Sequence, residues 1–169
     1  MAAGNTYVAL ATQTLASPAV SATFSSIPSG YTDLRIVLSN GNTNNPSNIA
    51  IQFNGVTSGS LYSNTNLYGN GSSAGSNRLS NRSDGIYIDY NVTFSSSSNA
   101  NIIYDIMSYA NTSTYKTVLG RVNAAGSATE AAVGTFRSTN AITDVTITTA
   151  SANTFSTGTV FSIYGILAA

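Results

Sequence analysis

Along most of the chain, apolar and polar residues alternate one by one. That is the period of a half-buried β-strand, whose successive side chains leave on opposite faces. Tyr7-Val8-Ala9-Leu10 opens a first strand. Val20, Ala22 and Phe24 alternate with Ser21, Thr23 and Ser25, and Ile49, Ile51 and Phe53 alternate with Ala50 and Gln52. Ile86, Ile88, Tyr90 and Val92 form a stripe through 84–94. Ile102, Tyr104 and Ile106 do the same through 101–109, with Ile103, Met107 and Tyr109 on the reverse. Leu34–Leu38 and the stretches 115–123, 131–137, 143–149 and 159–167 complete the set. Spacings near the 8–12 residues usual in sandwiches and barrels predict an all-β fold: a two-sheet antiparallel β-sandwich, jelly-roll-like, with about 8–10 strands.

Turn residues separate the runs: Ser29-Gly30, Asn40-Gly41, Asn54-Gly55, Asp84-Gly85 and Ala125-Gly126. Gly and Asn tolerate the positive φ of tight hairpins. Pro18, Pro28 and Pro46 fall in connections. Only 126–134 could hold a helical turn, and its Ala-rich composition reads equally as a strand of small residues.

Two segments leave the pattern. Residues 1–18 precede the steady alternation and read as an N-terminal arm or edge strand, with 19–169 as the sandwich domain. Residues 57–83 are rich in Gly, Ser and Asn, carry Leu61, Tyr62, Leu67 and Tyr68, and read as a long loop without periodicity. Such loops are often functional. Apolar residues on both faces of 34–38, 101–109 and 159–167 predict a buried subunit contact, because no helices are available to cover a second face.

Composition narrows the chemistry. The 169 residues include 67 Ser, Thr or Asn but only six Lys+Arg and six Asp+Glu. There is no His and no Cys, which removes imidazole, thiol and the usual zinc chemistry. Zero net charge without a basic cluster argues against nucleic acid. Apolar runs are too short to span a bilayer as a helix, so no membrane partner is expected. Met1–Asn5 lacks the basic segment of a secretory signal, so the four Asn-x-Ser/Thr sequons, at Asn70, Asn81, Asn91 and Asn111, carry no meaning.

The carboxylates are Asp33, Asp84, Asp89, Asp105, Glu130 and Asp144. A glycosidase needs two of them together. Asp84 and Asp89, five apart on one strand, would face opposite ways, so the acids read as turn, edge and solubility residues. A Ser–Lys pair with Lys116 is conceivable but is not expected to carry catalysis. Asn40–Asn44 has the spacing of a calcium loop but not its acidic ligands, and Gly69-Asn70-Gly71 has no helix to follow it. No catalytic residue, metal site or cofactor is expected, and the chain is read as not an enzyme. Tyr62, Tyr68, Asn64, Asn66, Asn70, Arg78 and Arg82 combine aromatic faces with amide and guanidinium donors. That set suits a loop pinned to the sandwich, a protein contact, or a shallow sugar site.

Several of these segments, taken in order, resemble a known group. Phe24-Ser25-Ser26-Ile27-Pro28-Ser29-Gly30-Tyr31-Thr32-Asp33-Leu34 is similar to the opening of small β-sandwich virion proteins of tailed phages, notably those of cyanobacteria. Ile51–Val56, Leu61-Tyr62-Ser63 and Leu67–Gly71 look like that group's middle. Ala141–Ile147, Phe155, Gly158 and Ile163-Tyr164-Gly165-Ile166 look like its close. The resemblance covers roughly residues 23–166. It implies a non-enzymatic module, either a capsid decoration (cement) protein or a tail-fibre-like adhesin domain. With only about 20 residues before the shared region, no fibre shaft is expected, which favours the cement reading. The expected partners are the major capsid protein of the same particle and further copies of this chain, as a homo-oligomer, most plausibly a trimer. A host glycan or receptor is the partner under the adhesin alternative. The expected location is the virion, on the head surface rather than the tail, after synthesis in the host cytoplasm. The candidate interaction surface is Tyr7, Leu10 and Leu15 in the first segment, with Leu61, Tyr62, Leu67, Tyr68, Arg78 and Arg82 in the second.

Overall fold

The computed structural model describes residues 6–124 and 127–167. The expected turn at Ala125-Gly126 and the reading of Met1–Asn5 lie outside the described residues. Among those described there are twelve strands and one short 3-10 turn, Ala150–Ala152. The strands are β1 (Tyr7–Thr14), β2 (Ser21–Phe24), β3 (Asp33–Gly41), β4 (Ile49–Phe53), β5 (Tyr62–Gly69), β6 (Ala74–Arg82), β7 (Ile86–Tyr87), β8 (Ala100–Met107), β9 (Lys116–Ala124), β10 (Ala128–Phe136), β11 (Val145–Thr149) and β12 (Val160–Ile166).

They form two antiparallel sheets, β1-β12-β3-β8-β9-β10-β5-β6 and β2-β11-β4-β7. The chain is an all-β sandwich, as the alternation predicted. The order shows how it is built. Setting aside the hairpins β5–β6 and β9–β10 leaves two four-stranded sheets, β1-β12-β3-β8 and β2-β11-β4-β7. The first strand pairs with the last, and the second with the next to last, which is the winding of an eight-stranded jelly roll. The two hairpins then lengthen one sheet beyond the roll.

The core lies between the sheets. Leu34, Ile36 and Leu38 of β3 face Ile49, Ile51 and Phe53 of β4, all with no solvent exposure. Phe53, Tyr62 and Phe136 form an aromatic cluster, with Phe136 5.3 Å from Phe53 and 5.0 Å from Tyr62. Each such ring, fully buried, contributes about 1.5–3 kcal/mol. Over the added hairpins the sheets close up further. β7 and the residue after it pack directly on glycines: a Cβ at Gly134 would lie 2.5 Å from Ile86, and one at Gly120 would fall within the Ile88 side chain.

Three expectations change. Residues 57–83 are not an aperiodic loop but contain the hairpin β5–β6. Its inward positions Asn64 and Asn66 are polar and buried, so the hydrophobic period that marks a strand is missing from the sequence. The stripe through 84–94 forms a strand only at Ile86–Tyr87; beyond it Ile88 and Val92 are buried, while Tyr90 is 47% exposed. Of the ambiguous stretch 126–134, the residues from Ala128 on belong to strand β10.

Candidate functional site

The lengthened sheet has an outer face that the small sheet does not cover. Its residues follow from strand register. One transverse row reads Asp105 (β8), Leu119 (β9), Val133 (β10), Thr65 (β5), Arg78 (β6). The next reads Ile103, Arg121, Ala131, Leu67, Ser76 on the same strands. Leu67 is 64% exposed, Val133 52%, Met107 43% and Leu119 42%. A shallow depression of about 550 Å³ lies on this face, with Leu67, Ile103, Ala131 and the Arg121 side chain at its apolar side and Asn101, Asn123 and Thr129 at its polar end. Exposed large apolar residues gathered on one face mark an interaction surface more than scattered ones do.

Charges on this sheet divide into paired and unpaired. Arg35 donates Nε to Asp105 at 2.5 Å and an Nη to the same carboxylate at 3.0 Å, and its guanidinium sits 5.1 Å over the Tyr7 ring. The Asp105 hydrogen bond holds the Arg35 guanidinium even further above its ordinary range. Arg78 and Arg121 have no ion-pair partner among the described residues.

The expected interaction residues do not all come together. Leu67 and Arg78 lie on the outer face. Tyr7, 47% exposed, marks the far end of the same sheet. Leu10 lines a separate groove with Phe24, Ile27 and Ile163, where β1 passes the small sheet. Leu61 packs against the core. Tyr68 is half-buried, its ring lying across β6 where Gly75 has no side chain. Arg82 is tied to Asp84 and stacks 5.0 Å from the Tyr87 ring.

Two of the nine are corrected. Tyr62 is fully buried, its hydroxyl donating to the Val56 carbonyl at 3.0 Å and accepting from the Phe53 amide at 3.1 Å. Burial raises its phenol pKa. Leu15 is only 5% exposed and belongs to the core. Neither side chain can meet a partner. The sequence reading missed Leu119, Val133, Ala131 and Arg121. Part of their signal was present: each sits at the outward alternate of a strand whose inward positions include Val118, Val122, Ala132 and Phe136.

The carboxylates also need one correction. Asp89 and Glu130 are not solubility residues but are 0% and 3% exposed. Asp89 Oδ2 accepts the Ile49 amide at 2.6 Å, and burial pushes its carboxyl well above the usual range. Glu130 accepts the Asn91 amide at 2.7 Å and a hydrogen bond from Asn66. Asn64 and Asn66 both donate to the Tyr87 carbonyl, at 2.8 Å and 3.0 Å. These bonds fix segment 87–91 under the added hairpins, so the polar groups serve the fold. Lys116 does similar work at the sandwich edge. Its Nζ donates to the Asn111 carbonyl at 2.6 Å and the Thr114 carbonyl at 2.9 Å, and burial lowers its pKa.

In comparison with known proteins, no family model matches the chain and no curated protein matches it.

Proposed function

We propose that this protein is a structural component of a tailed-phage virion, a decoration or cement protein that binds the outside of the assembled head. Such a protein needs no reactive group. It binds the shell and not the free capsid subunit, and so stabilises the shell by mass action. The observation that carries this reading is the apolar outer face of the lengthened sheet. The phage assignment itself rests on the resemblance of residues 23–166. The chain acts as an oligomer, with the major capsid protein as its heterologous partner. Head surface is preferred to tail.

Counting this chain by mass spectrometry in purified particles tests the reading. Hundreds of copies per particle are expected, with heads that lose tolerance to heat or osmotic shock when it is absent. A handful of copies would place it on a tail. One observation favours that second reading, a glycan-binding adhesin. The Asn101, Asn123 and Thr129 end of the depression offers the amide and hydroxyl groups that recognise sugar hydroxyls.

A further inference from the structure

We infer that the outer face of β8-β9-β10-β5-β6 is covered by a second copy of this chain, related by a twofold axis running along β10. This inference rests on the reading of the chain as an assembly module, and it names the surface and the symmetry.

The argument is the order of residues across the sheet. In the row Asp105–Leu119–Val133–Thr65–Arg78, the centre is Val133. An acid stands two strands to one side and a base two strands to the other. A twofold axis along β10 exchanges β9 with β5 and β8 with β6. It therefore sets Arg78 of each copy opposite Asp105 of the other, and Val133 opposite itself. A C2 contact must be self-complementary in this way, each residue meeting its counterpart twice. Arg78 gains the carboxylate it lacks among the described residues of its own chain. Asp105, already held by Arg35, keeps lone pairs free for a second guanidinium.

The neighbouring row fits the same axis. Leu67, the most exposed large apolar residue, comes to lie over Arg121 of the other copy. That is inside the depression, between Ile103 and Ala131. The Arg121 stem then packs on leucine, while its charged head reaches toward the open, polar end beside Asn123. Each copy thus supplies a knob and the hollow that receives it.

The area is sufficient. Five strands about 4.8 Å apart, each eight or nine residues long, present a face of roughly 24 by 27 Å. Two such faces bury about 1,300 Å² in total, which lies within the range of specific, stable interfaces. Among the described residues, the outer face of the small sheet offers neither the apolar area nor the paired charges. On the outer face of the small sheet the residues open to water are Ser21, Thr23, Gln52, Thr146 and Thr148, while Ala50 and Tyr87 of that face are buried.

The test uses the full chain in sedimentation velocity over a concentration series. The expected species is a dimer, twice the 17.4 kDa of the chain. Val133→Arg places like charges against each other on the axis and should raise the dissociation constant at least about a hundredfold. Arg78→Glu should raise it about tenfold, and more at low salt. Circular dichroism confirms that both variants fold. Because the chain has no cysteine, Val133→Cys and Ser21→Cys serve as single reporters. A short bismaleimide should join two Val133→Cys chains and leave Ser21→Cys chains separate. A monomer at all concentrations, a trimer, or a dimer indifferent to Val133→Arg overturns the inference. Failure of the virion reading is distinct: a dimer that is absent from purified particles would remove that reading and leave this contact standing.

Discussion

The two sheets of the sandwich turn very different surfaces to the outside. The small sheet shows Ser21, Thr23, Gln52, Thr146 and Thr148, with Thr23 and Thr146 hydrogen-bonded across strands at 2.9 Å. The large sheet shows Leu67, Leu119, Val133 and Met107, beside Ile103 and Ala131. An antiparallel sheet that faces water is expected to be polar on that side. The small sheet obeys this rule, so water is its outer neighbour. The large sheet breaks it, and does so on β8 and the hairpins added beside it. The difference gives the proposed contact its place, on β8 and the two hairpins.

That division can be broken experimentally. The largest effect should come from the inner side. Gly120→Val forces a side chain into Ile88 and should cost about 3 kcal/mol. Thermal unfolding would then shift down by about 6–12 °C. A shift of a degree or two would show that the sheets are not closely packed over the added hairpins.

Next comes the buried carboxyl. Burial raises the folded pKa of Asp89 well above the unfolded value and so favours its protonated form. The stability it contributes is complete below the ordinary carboxylate range and is lost as pH rises through the raised folded value. Urea unfolding of wild type and Asp89→Asn from pH 4 to 8 should show this. The wild type should lose stability relative to the variant as pH increases. Parallel profiles would mean that Asp89 is ionised in the fold.

A smaller effect is expected at the sheet end. Tyr7→Ala removes the ring under Arg35 and should cost about 0.5–1 kcal/mol, read from the urea midpoint of the monomer. The smallest effects separate the outer faces. Val133→Thr and Thr146→Val should each change monomer stability by no more than about 0.5 kcal/mol. They should still differ in behaviour. Val133→Thr weakens self-association, while Thr146→Val does not. If Val133→Thr costs as much stability as Gly120→Val, the large sheet's outer face belongs to the fold and not to a contact.

The strands of the jelly roll were legible because their alternation records a core on one side and water on the other. β2, β4 and β11 show it plainly, as Ala22 and Phe24, Ile49 and Ile51, Val145 and Ile147. The hairpin β5–β6 was not legible, because Asn64 and Asn66 occupy inward positions and satisfy each other, Glu130 and the Tyr87 carbonyl. Hydrogen bonds replace hydrophobic burial there, and periodicity records only the latter. The same gap misplaced Tyr62. An aromatic residue in a Ser- and Asn-rich stretch reads as a loop anchor, yet it is the first residue of a strand one in from the sheet edge. For the site, Ile103 and Met107 were visible as a second apolar face on one strand. Rows such as Leu119–Val133 were not, because they are assembled by register between strands.

The interleaving of chain ends has a consequence for biosynthesis. β12 lies between β1 and β3, and β11 lies between β2 and β4. Strands made first must therefore wait, with an edge each unpaired, for strands made last. Neither sheet can close until residues 145–166 have left the ribosome. Pairings so distant in sequence make for slow folding, and a chain stopped before Val160 would leave the facing edges of β1 and β3 open to one another's copies. Translation that stalls late should yield aggregates, not a smaller soluble domain.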